Sequence, residues 1–172
     1  VDAAIACAGA IGGGTPQWEL APGLEQVLLD INLGGAMNLA RAAIPALLRR
    51  PEPRAGRFVA VASTAATHGL PMLAAYCAAK AGIVGLVRAL AAELGSTGVT
   101  ANTISPGSTA TPILDQSARL YGLEEVAEFA THASMHRLLE PEEIAHVIAF
   151  MVGEHNSAMT GAVVPADGGF DL

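Results

Sequence analysis

The chain has 172 residues, of which 52% are hydrophobic and 15% charged, with a net charge of −7. This length allows one domain with a substantial core. The acidic balance and the lack of a basic cluster beyond Arg49-Arg50 argue against nucleic-acid binding. No uncharged apolar run reaches membrane-spanning length, so a membrane protein is not expected. Two cysteines without a C-x-x-C pair favour a reduced, cytoplasmic location.

Strands and helices alternate along the chain. The hydrophobic pattern predicts buried strands over residues 1–8, 57–62, 99–104 and 161–165. It predicts helices over residues 23–50 and 72–95, two short ones within 111–135, and one that begins at Pro141. The glycine-rich segment 32–35 predicts a kink or close packing in the first helix. This order favours the α/β class with a parallel, doubly wound sheet.

A tyrosine, a lysine and a serine carry the strongest chemical signal. Tyr76 and Lys80 are four residues apart in a predicted helix and share one face. A phenol is a poor acid or base at neutral pH, but a neighbouring positive charge favours the phenolate and lowers its pKa. Ser63 ends a predicted strand, where α/β sheets place their ligands, and could hold a substrate oxygen. The set predicts proton transfer to or from an alcohol or carbonyl oxygen.

Five elements, in this order, resemble the short-chain dehydrogenase/reductase family. They are Asn32, Ser63, Tyr76-x-x-x-Lys80, Pro106-Gly107 and Ala166-Asp167-Gly168-Gly169. The resemblance covers residues 1–172 as a single partial domain. It implies the C-terminal part of a Rossmann-like doubly wound parallel sheet, with about four strands and flanking helices.

The glycine-rich loop that binds the dinucleotide in this family has no counterpart here. The chain has no Thr-Gly-x-x-x-Gly-x-Gly, and Gly12-Gly13-Gly14 does not open a predicted helix. On the order of 80 residues of N-terminal nucleotide-binding βαβ units are missing relative to the family. We therefore expect a fragment, a truncated gene product or an incompletely represented parent, and we assign function to the intact parent. A non-catalytic remnant or an oligomerisation module is the open alternative.

The resemblance implies a role for each of four catalytic candidates. Tyr76 would be the general acid/base. Lys80 would lower the pKa of Tyr76 and hold the nicotinamide ribose hydroxyls. Ser63 would bind the substrate oxygen. Asn32 would steady the helix kink and a water that relays protons to Lys80; a purely structural service is its alternative. The implied reaction is NAD(P)-dependent hydride transfer between an alcohol and a ketone or aldehyde.

Two further segments are implied to bind the cofactor. In the loop that begins at Pro106 and Gly107, the backbone at Thr109 and the hydroxyl of Thr111 would hold the nicotinamide carboxamide. Ala8 and Gly9 would let the adenosine ribose approach closely. Cys7 stands before them where the family often has asparagine, and we expect it in the core. The residues that normally decide between NAD and NADP are missing, and NAD is favoured.

Other features leave their function open. His132 and His136 could share a helix face, but without a third ligand no metal site is predicted. His68 could line the substrate pocket or lie exposed in a loop, and Trp18 could be a pocket wall or a loop anchor. The apolar residues of segment 111–135, a plausible lid, weakly favour an apolar substrate; they are Leu114, Leu120, Leu123 and Phe129.

A narrower resemblance concerns the mycofactocin-coupled subgroup of the family. It rests on Cys-Ala-Gly-Ala-Ile, the Pro-rich turn at 51–53, Ala-Tyr-Cys-Ala-Ala-Lys, Leu-Tyr-Gly-Leu and Asp-Gly-Gly-Phe. It would imply a tightly bound NAD and electron transfer to a mycofactocin carrier. The family resemblance also implies that the helices around Asn32 and Tyr76 pack against copies of themselves in a homodimer or homotetramer.

Overall fold

Four parallel strands form one sheet in the order β1-β2-β3-β4 in the computed structural model, which describes residues 1–53 and 55–170. The strands are β1 (Ala3–Ala6), β2 (Arg57–Val61), β3 (Thr100–Pro106) and β4 (Val163–Ala166). The helices are α1 (Pro22–Leu29), α2 (Gly35–Leu48), α3 (Ala74–Leu94), α4 (Pro112–Tyr121) and α5 (Pro141–Val152). This architecture confirms the predicted α/β class. Residues 54, 171 and 172 of the predicted domain lie outside the described residues.

Helices cover both faces of the sheet. Successive strand residues point to opposite faces, so Phe58 and Val59 enter different layers. Phe58 packs with Ile83 of α3 and Leu47 of α2 in one apolar cluster. Val59 packs in a second cluster, which α5 closes. β2 is thereby buried on both faces, as the apolar pattern of its residues predicted.

The first strand departs from the prediction of a buried strand over residues 1–8. β1 lies at one edge of the described sheet, and of its residues only Ala4 is buried. Ile5, which points to the opposite face, is 40% exposed. The physical reason is that β1 pairs with β2 alone among the described strands, and the described elements leave Ile5 partly uncovered.

The predicted kink is a π-helical turn. Helix α1 continues through a turn over Asp30–Gly34 into α2, and the backbone N–H of Gly35 donates to the carbonyl of Asp30, five residues earlier. Such turns widen a helix locally and are frequent at functional sites. Asn32 lies inside this turn and is 1% exposed. The turn thus points a buried amide at the carboxyl end of β1.

Two helices are long and apolar enough to cross a membrane, judged by length and composition alone: Pro22–Leu48 and Ala74–Leu94. Core helices of globular proteins pass the same test. Both segments pack against the sheet in this structure and contribute residues to its larger apolar cluster. Core packing explains only part of their apolar character, since 28% of the apolar window of Pro22–Leu48 and 44% of that of Ala74–Leu94 is buried.

Candidate active site

Ser63, Tyr76 and Lys80 come together at the carboxyl edge of the sheet. Ser63 follows β2, and its hydroxyl oxygen accepts a hydrogen bond of 3.2 Å from the N–H of Ala65, which caps a short 3-10 turn. Tyr76 lies in the first part of α3, close enough to Ser63 for that side chain to lower the pKa of the phenol. The ammonium nitrogen of Lys80 is 5.7 Å from the centre of the Tyr76 ring. Strand end and helix face thus converge as their sequence spacing predicted.

Burial controls the electrostatics of this group. Burial raises the pKa of Tyr76, which is only 8% exposed. Two smaller effects oppose each other, since the side chain of Ser63 lowers this pKa and the charge of Cys77 raises it. Burial also lowers the pKa of Lys80 to about 8, against a smaller opposite effect of Cys7. The predicted lowering of the pKa of Tyr76 is therefore outweighed, and the net shift in this structure is upward. Desolvation of the phenolate is the dominant effect in this structure.

The ammonium of Lys80 has a fixed partner in the sheet. Its nitrogen donates a 3.1 Å hydrogen bond to the carbonyl of Val61, at the end of β2. An ammonium has three N–H donors, and among the described residues the hydrogen bonds use this one. This bond fixes the side chain of Lys80 between α3 and the end of β2, and it leaves two N–H groups that could donate to a ligand.

Asn32 joins the π-helical turn to the segment after β1. Its side-chain oxygen accepts from the N–H of Ala10 at 3.2 Å, and its side-chain nitrogen donates to the carbonyl of Ala10 at 2.9 Å. The same nitrogen donates to the carbonyl of Leu28 at 2.8 Å. These three bonds engage both N–H donors of the amide, so the side chain acts as a clamp on the backbone.

Gly9 lies between this clamp and the lysine. A Cβ at Gly9 would stand 3.0 Å from the Asn32 side-chain oxygen and 3.3 Å from the Lys80 nitrogen. A residue without a Cβ therefore keeps both polar groups close to the backbone. Ala8 and Cys7, which precede it, are exposed. The prediction that Cys7 is a core residue was wrong, because the chain leaves the sheet after Ala6.

The loop after β3 is pinned against the last strand. Gly107 donates from its N–H to the carbonyl of Ala166 at 3.1 Å, and a Cβ there would lie 2.7 Å from the carbonyl oxygen of Asp167. Further along, the hydroxyl of Thr109 donates to Gly107, and that of Thr111 donates to the carbonyl of Thr109 at 3.2 Å. Only glycine permits this close crossing of two backbones. Loop and tail therefore form one rigid wall.

A cavity of about 450 Å³ opens beside this group. It is lined by Ile11, Thr64, Gly69, Leu70, Pro71, Leu73, Gly107, Ser108, Leu114, Ser117, Tyr121, Leu123, Phe129, His132 and Phe170. The lining does not include Ser63 or Tyr76, but it includes Thr64, the neighbour of Ser63. Ile11 and Leu73 of the lining pack with Tyr76 in one apolar cluster. The cavity thus adjoins the acid–base group.

Sequence reasoning found some walls of this cavity and missed others. Leu114, Leu123 and Phe129 belong to the predicted lid and line it. Phe170 was not singled out. It reaches the cavity because residues 168–170 pair with the lid through an antiparallel bridge between Ala133 and Phe170. No local signal marks such a contact, since the two segments are distant in the chain.

The remaining candidates from the sequence are three histidines and a tryptophan. His132 lines the cavity and lies 6.1 Å from the ring of Phe170, whereas His68 contacts the same ring from 5.3 Å without lining the cavity. His136 has a φ of 49° and follows the short helix Val126–His132. Trp18 is 84% exposed and is not part of the wall. Within residues 1–53 and 55–170, no group of three His, Cys, Asp or Glu side chains could hold a metal ion.

The fold is an α/β fold with a Rossmann-like parallel sheet. A family model described as enoyl-(acyl carrier protein) reductase matches residues 1–171. The 2-dehydro-3-deoxy-L-rhamnonate dehydrogenase (NAD(+)) of Sphingomonas sp. strain SKA58 is 36% identical over 169 residues, which cover 98% of this chain and 65% of that protein. The chain therefore belongs to the short-chain dehydrogenase/reductase family.

Solved structures agree with this family assignment. A 3-oxoacyl-[acyl-carrier protein] reductase with bound NAD from Brucella melitensis has a TM-score of 0.84 and 30% identity, covering 99% of this chain and 62% of that chain. ElxO with NADP bound has a TM-score of 0.86 at 22% identity, covering 97% and 66%, which shows the fold alone. This chain spans less than two thirds of the length of these relatives.

Proposed function

We propose that the intact protein is an NAD(P)-dependent oxidoreductase that interconverts an alcohol and a ketone or aldehyde, with Tyr76 as the general acid/base. The observation that supports this most is the buried phenol of Tyr76, whose pKa the side chain of Ser63 lowers and which lies one helical turn from the ammonium of Lys80. Three polar groups at the edge of an apolar cavity match the needs of one oxygen that gains or loses a proton.

Each side chain has one task in the oxidation direction. The hydroxyl of Ser63 holds the substrate oxygen, and the phenol oxygen of Tyr76 takes its proton. A charged Lys80 favours the phenolate that must form and passes the proton on towards solvent. Asn32 keeps the backbone beside Lys80 in place through its clamp on Ala10. When bound, a nicotinamide would supply the hydride acceptor for the carbon that bears the oxygen.

The residues present fit the nicotinamide half of such a cofactor. The ammonium of Lys80 carries donors suited to ribose hydroxyls, and the missing Cβ of Gly9 leaves the space beside it open. Ala8 would lie along the adenosine ribose, and Thr109 and Thr111 would hold the carboxamide. The NAD named for the Sphingomonas relative and for the Brucella structure supports NAD over NADP.

The cofactor test uses the intact parent, extensively dialysed, with absorbance and mass spectra. Reversible binding of added NAD supports an ordinary dehydrogenase. Stoichiometric retained NAD supports the finer proposal of a mycofactocin-coupled enzyme, which rests on the sequence segments of that subgroup. A protein that binds neither NAD nor NADP contradicts both and favours the non-catalytic remnant. The proposed homodimer or homotetramer and the cytoplasmic location are checked by light scattering and by fractionation.

The catalytic test exploits the fact that the chain has two tyrosines, Tyr76 and Tyr121. Tyr76→Phe should lower kcat by about 10²–10⁴-fold, the usual contribution of general acid–base catalysis, with nicotinamide binding retained. Tyr121→Phe is the matched control, because it removes the other phenol hydroxyl, which donates to the carbonyl of Pro71 at 2.8 Å. Equal losses in the two variants would contradict the role of Tyr76.

A further inference from the structure

Two polar side chains of the cavity wall, those of Ser117 and Tyr121, are turned towards backbone carbonyls. The hydroxyl of Ser117 donates to the carbonyl of Ile113 at 2.9 Å, and the hydroxyl of Tyr121 donates to that of Pro71 at 2.8 Å. Each hydroxyl carries one hydrogen, so neither has a donor left for a ligand. The wall therefore contributes fewer hydrogen-bond donors to the cavity than its composition suggests.

The same wall carries no fixed charge. Among the lining residues there is no Lys, Arg, Asp or Glu, and Lys80 is held to the carbonyl of Val61 outside the lining. His132 is the one imidazole, and it packs against the ring of Phe170 at an interplanar angle of 33°. A carboxylate or phosphate on a substrate would lose its water here without gaining a cation. Burying an unpaired charge costs far more than burying an apolar group.

The shape of the cavity favours a compact ligand. Its volume of about 450 Å³ lies at the small end of ligand sites. Phe129 and Phe170 contribute aromatic rings, and Phe129 is braced edge-on by Tyr121 at 6.1 Å. The tether from Gln116 to the carbonyl of Ile11, at 3.1 Å, holds α4 across the cavity. An aliphatic or aromatic ring fits such a space better than a long polar chain.

We propose that the substrate is a compact, uncharged and largely apolar alcohol or ketone, and that this wall excludes anionic acids. The inference rests on the proposed function, because it concerns the substrate of the same site. It adds a charge rule, namely that the site disfavours anionic substrates, and this rule follows from the absence of charged side chains among the residues that line the cavity.

Three probes with one ring separate charge from polarity: methylcyclohexanol, hydroxycyclohexane carboxylate and the methyl ester of that acid. The intact parent, saturated with NAD, is assayed for turnover and for binding by calorimetry. We expect methylcyclohexanol and the ester to bind and the carboxylate to bind at least ~100-fold more weakly. Equal binding of the carboxylate would overturn the inference, and so would failure of methylcyclohexanol to bind.

The binding readout keeps this inference separate from the proposed function. A parent that discriminates against the carboxylate in binding but oxidises no alcohol contradicts the proposed function and leaves the charge rule standing. A parent that oxidises the carboxylate as well as methylcyclohexanol contradicts the charge rule and leaves the proposed function standing.

A cation introduced into the cavity wall tests the same inference from the protein side. Leu123→Arg introduces a cation at a half-exposed lining position, so the fold should tolerate it. It should shift the preference at least ~10-fold towards the carboxylate, since a paired charge is less costly to desolvate. Ile113→Arg is the control, because Ile113 lies on α4, is 39% exposed and is not in the lining. An equal shift in both variants would overturn the inference.

Discussion

Lys80 should titrate far below an ordinary lysine. Burial lowers its pKa from 10.5 to about 8. Each decade of that difference corresponds to about 1.4 kcal/mol, so the folded chain disfavours the charged ammonium by about 3 kcal/mol. The unfolded chain keeps its proton up to a higher pH than the folded chain does. Stability should therefore rise with pH between about 8 and 10.5, and this group should add no slope below that window.

Lys80 is the only lysine among these 172 residues, which limits overlap in the measurement. Labelling lysine with ¹³C at the ε position gives a Lys80 resonance, identified by its loss in Lys80→Met, whose shift against pH yields the pKa in the folded protein and, in urea, in the unfolded protein. In parallel, urea unfolding of the wild type should gain up to about 3 kcal/mol relative to Lys80→Met as the pH rises through the window. The methionine keeps the apolar stem and removes the charge.

Two results would refute the reasoning. A folded-state resonance that titrates together with that of the unfolded chain would show that the ammonium is hydrated and not buried. Parallel unfolding curves for the wild type and Lys80→Met across the pH window would show that desolvation of this group does not contribute to stability.

Three substitutions test the framework around the site by urea unfolding. Asn32→Ala removes the three hydrogen bonds of a buried amide, two of them to Ala10, and should cost about 2–4 kcal/mol. Gly107→Ala places a Cβ 2.7 Å from the carbonyl oxygen of Asp167 and should cost about 1–3 kcal/mol through forced backbone shifts. Ser105→Ala removes a buried hydroxyl that has no partner among the described residues, so stability should be unchanged or rise by about 1 kcal/mol.

Matched controls use the same chemistry elsewhere in the chain. Asn38→Ala removes an exposed hydrogen bond with Arg41 and should change little. Gly85→Ala adds a Cβ where nothing lies within 4 Å, in the middle of α3, and should stabilise by about 1 kcal/mol. Thr97→Val removes a hydroxyl bonded to Leu94 and should destabilise by about 1 kcal/mol. If Ser105→Ala lost as much stability as Thr97→Val, the Ser105 hydroxyl would have to form a hydrogen bond in the folded chain, which would contradict this interpretation.

The geometry of the acid–base group was predictable because it depends on short-range rules. Tyr76 and Lys80 share a helix face by their spacing, and Ser63 ends a strand whose carboxyl edge faces the ligand side of any parallel sheet. The clamp of Asn32 on Ala10 was not predictable, since it joins residues 22 positions apart. The π-helical turn was indicated only as a kink.

Burial explains the errors. The sequence places a cation beside a phenol, which suggests a lowered pKa for Tyr76. The structure removes both groups from water, and desolvation then dominates. Cysteine is a residue type that is often buried, yet Cys7 lies past the end of β1 and is exposed. Solvent exposure depends on which elements cover a residue, and neither local pattern nor spacing contains that information.

The proton-transfer residues and most of the cavity wall lie on different segments of the chain, so substitutions can affect one without the other. Ser63 follows β2, and Tyr76 and Lys80 lie on α3, whereas much of the cavity wall comes from the segment 107–132 and Phe170. Mutations in the wall can accumulate without moving the proton-transfer groups. Besides the Gly107–Asp167 crossing, the bridge between Ala133 and Phe170 and the hydrogen bond from Gln116 to Ile11 hold that wall in place. Substitutions between these contacts can therefore reshape the cavity while Ser63, Tyr76 and Lys80 keep their positions.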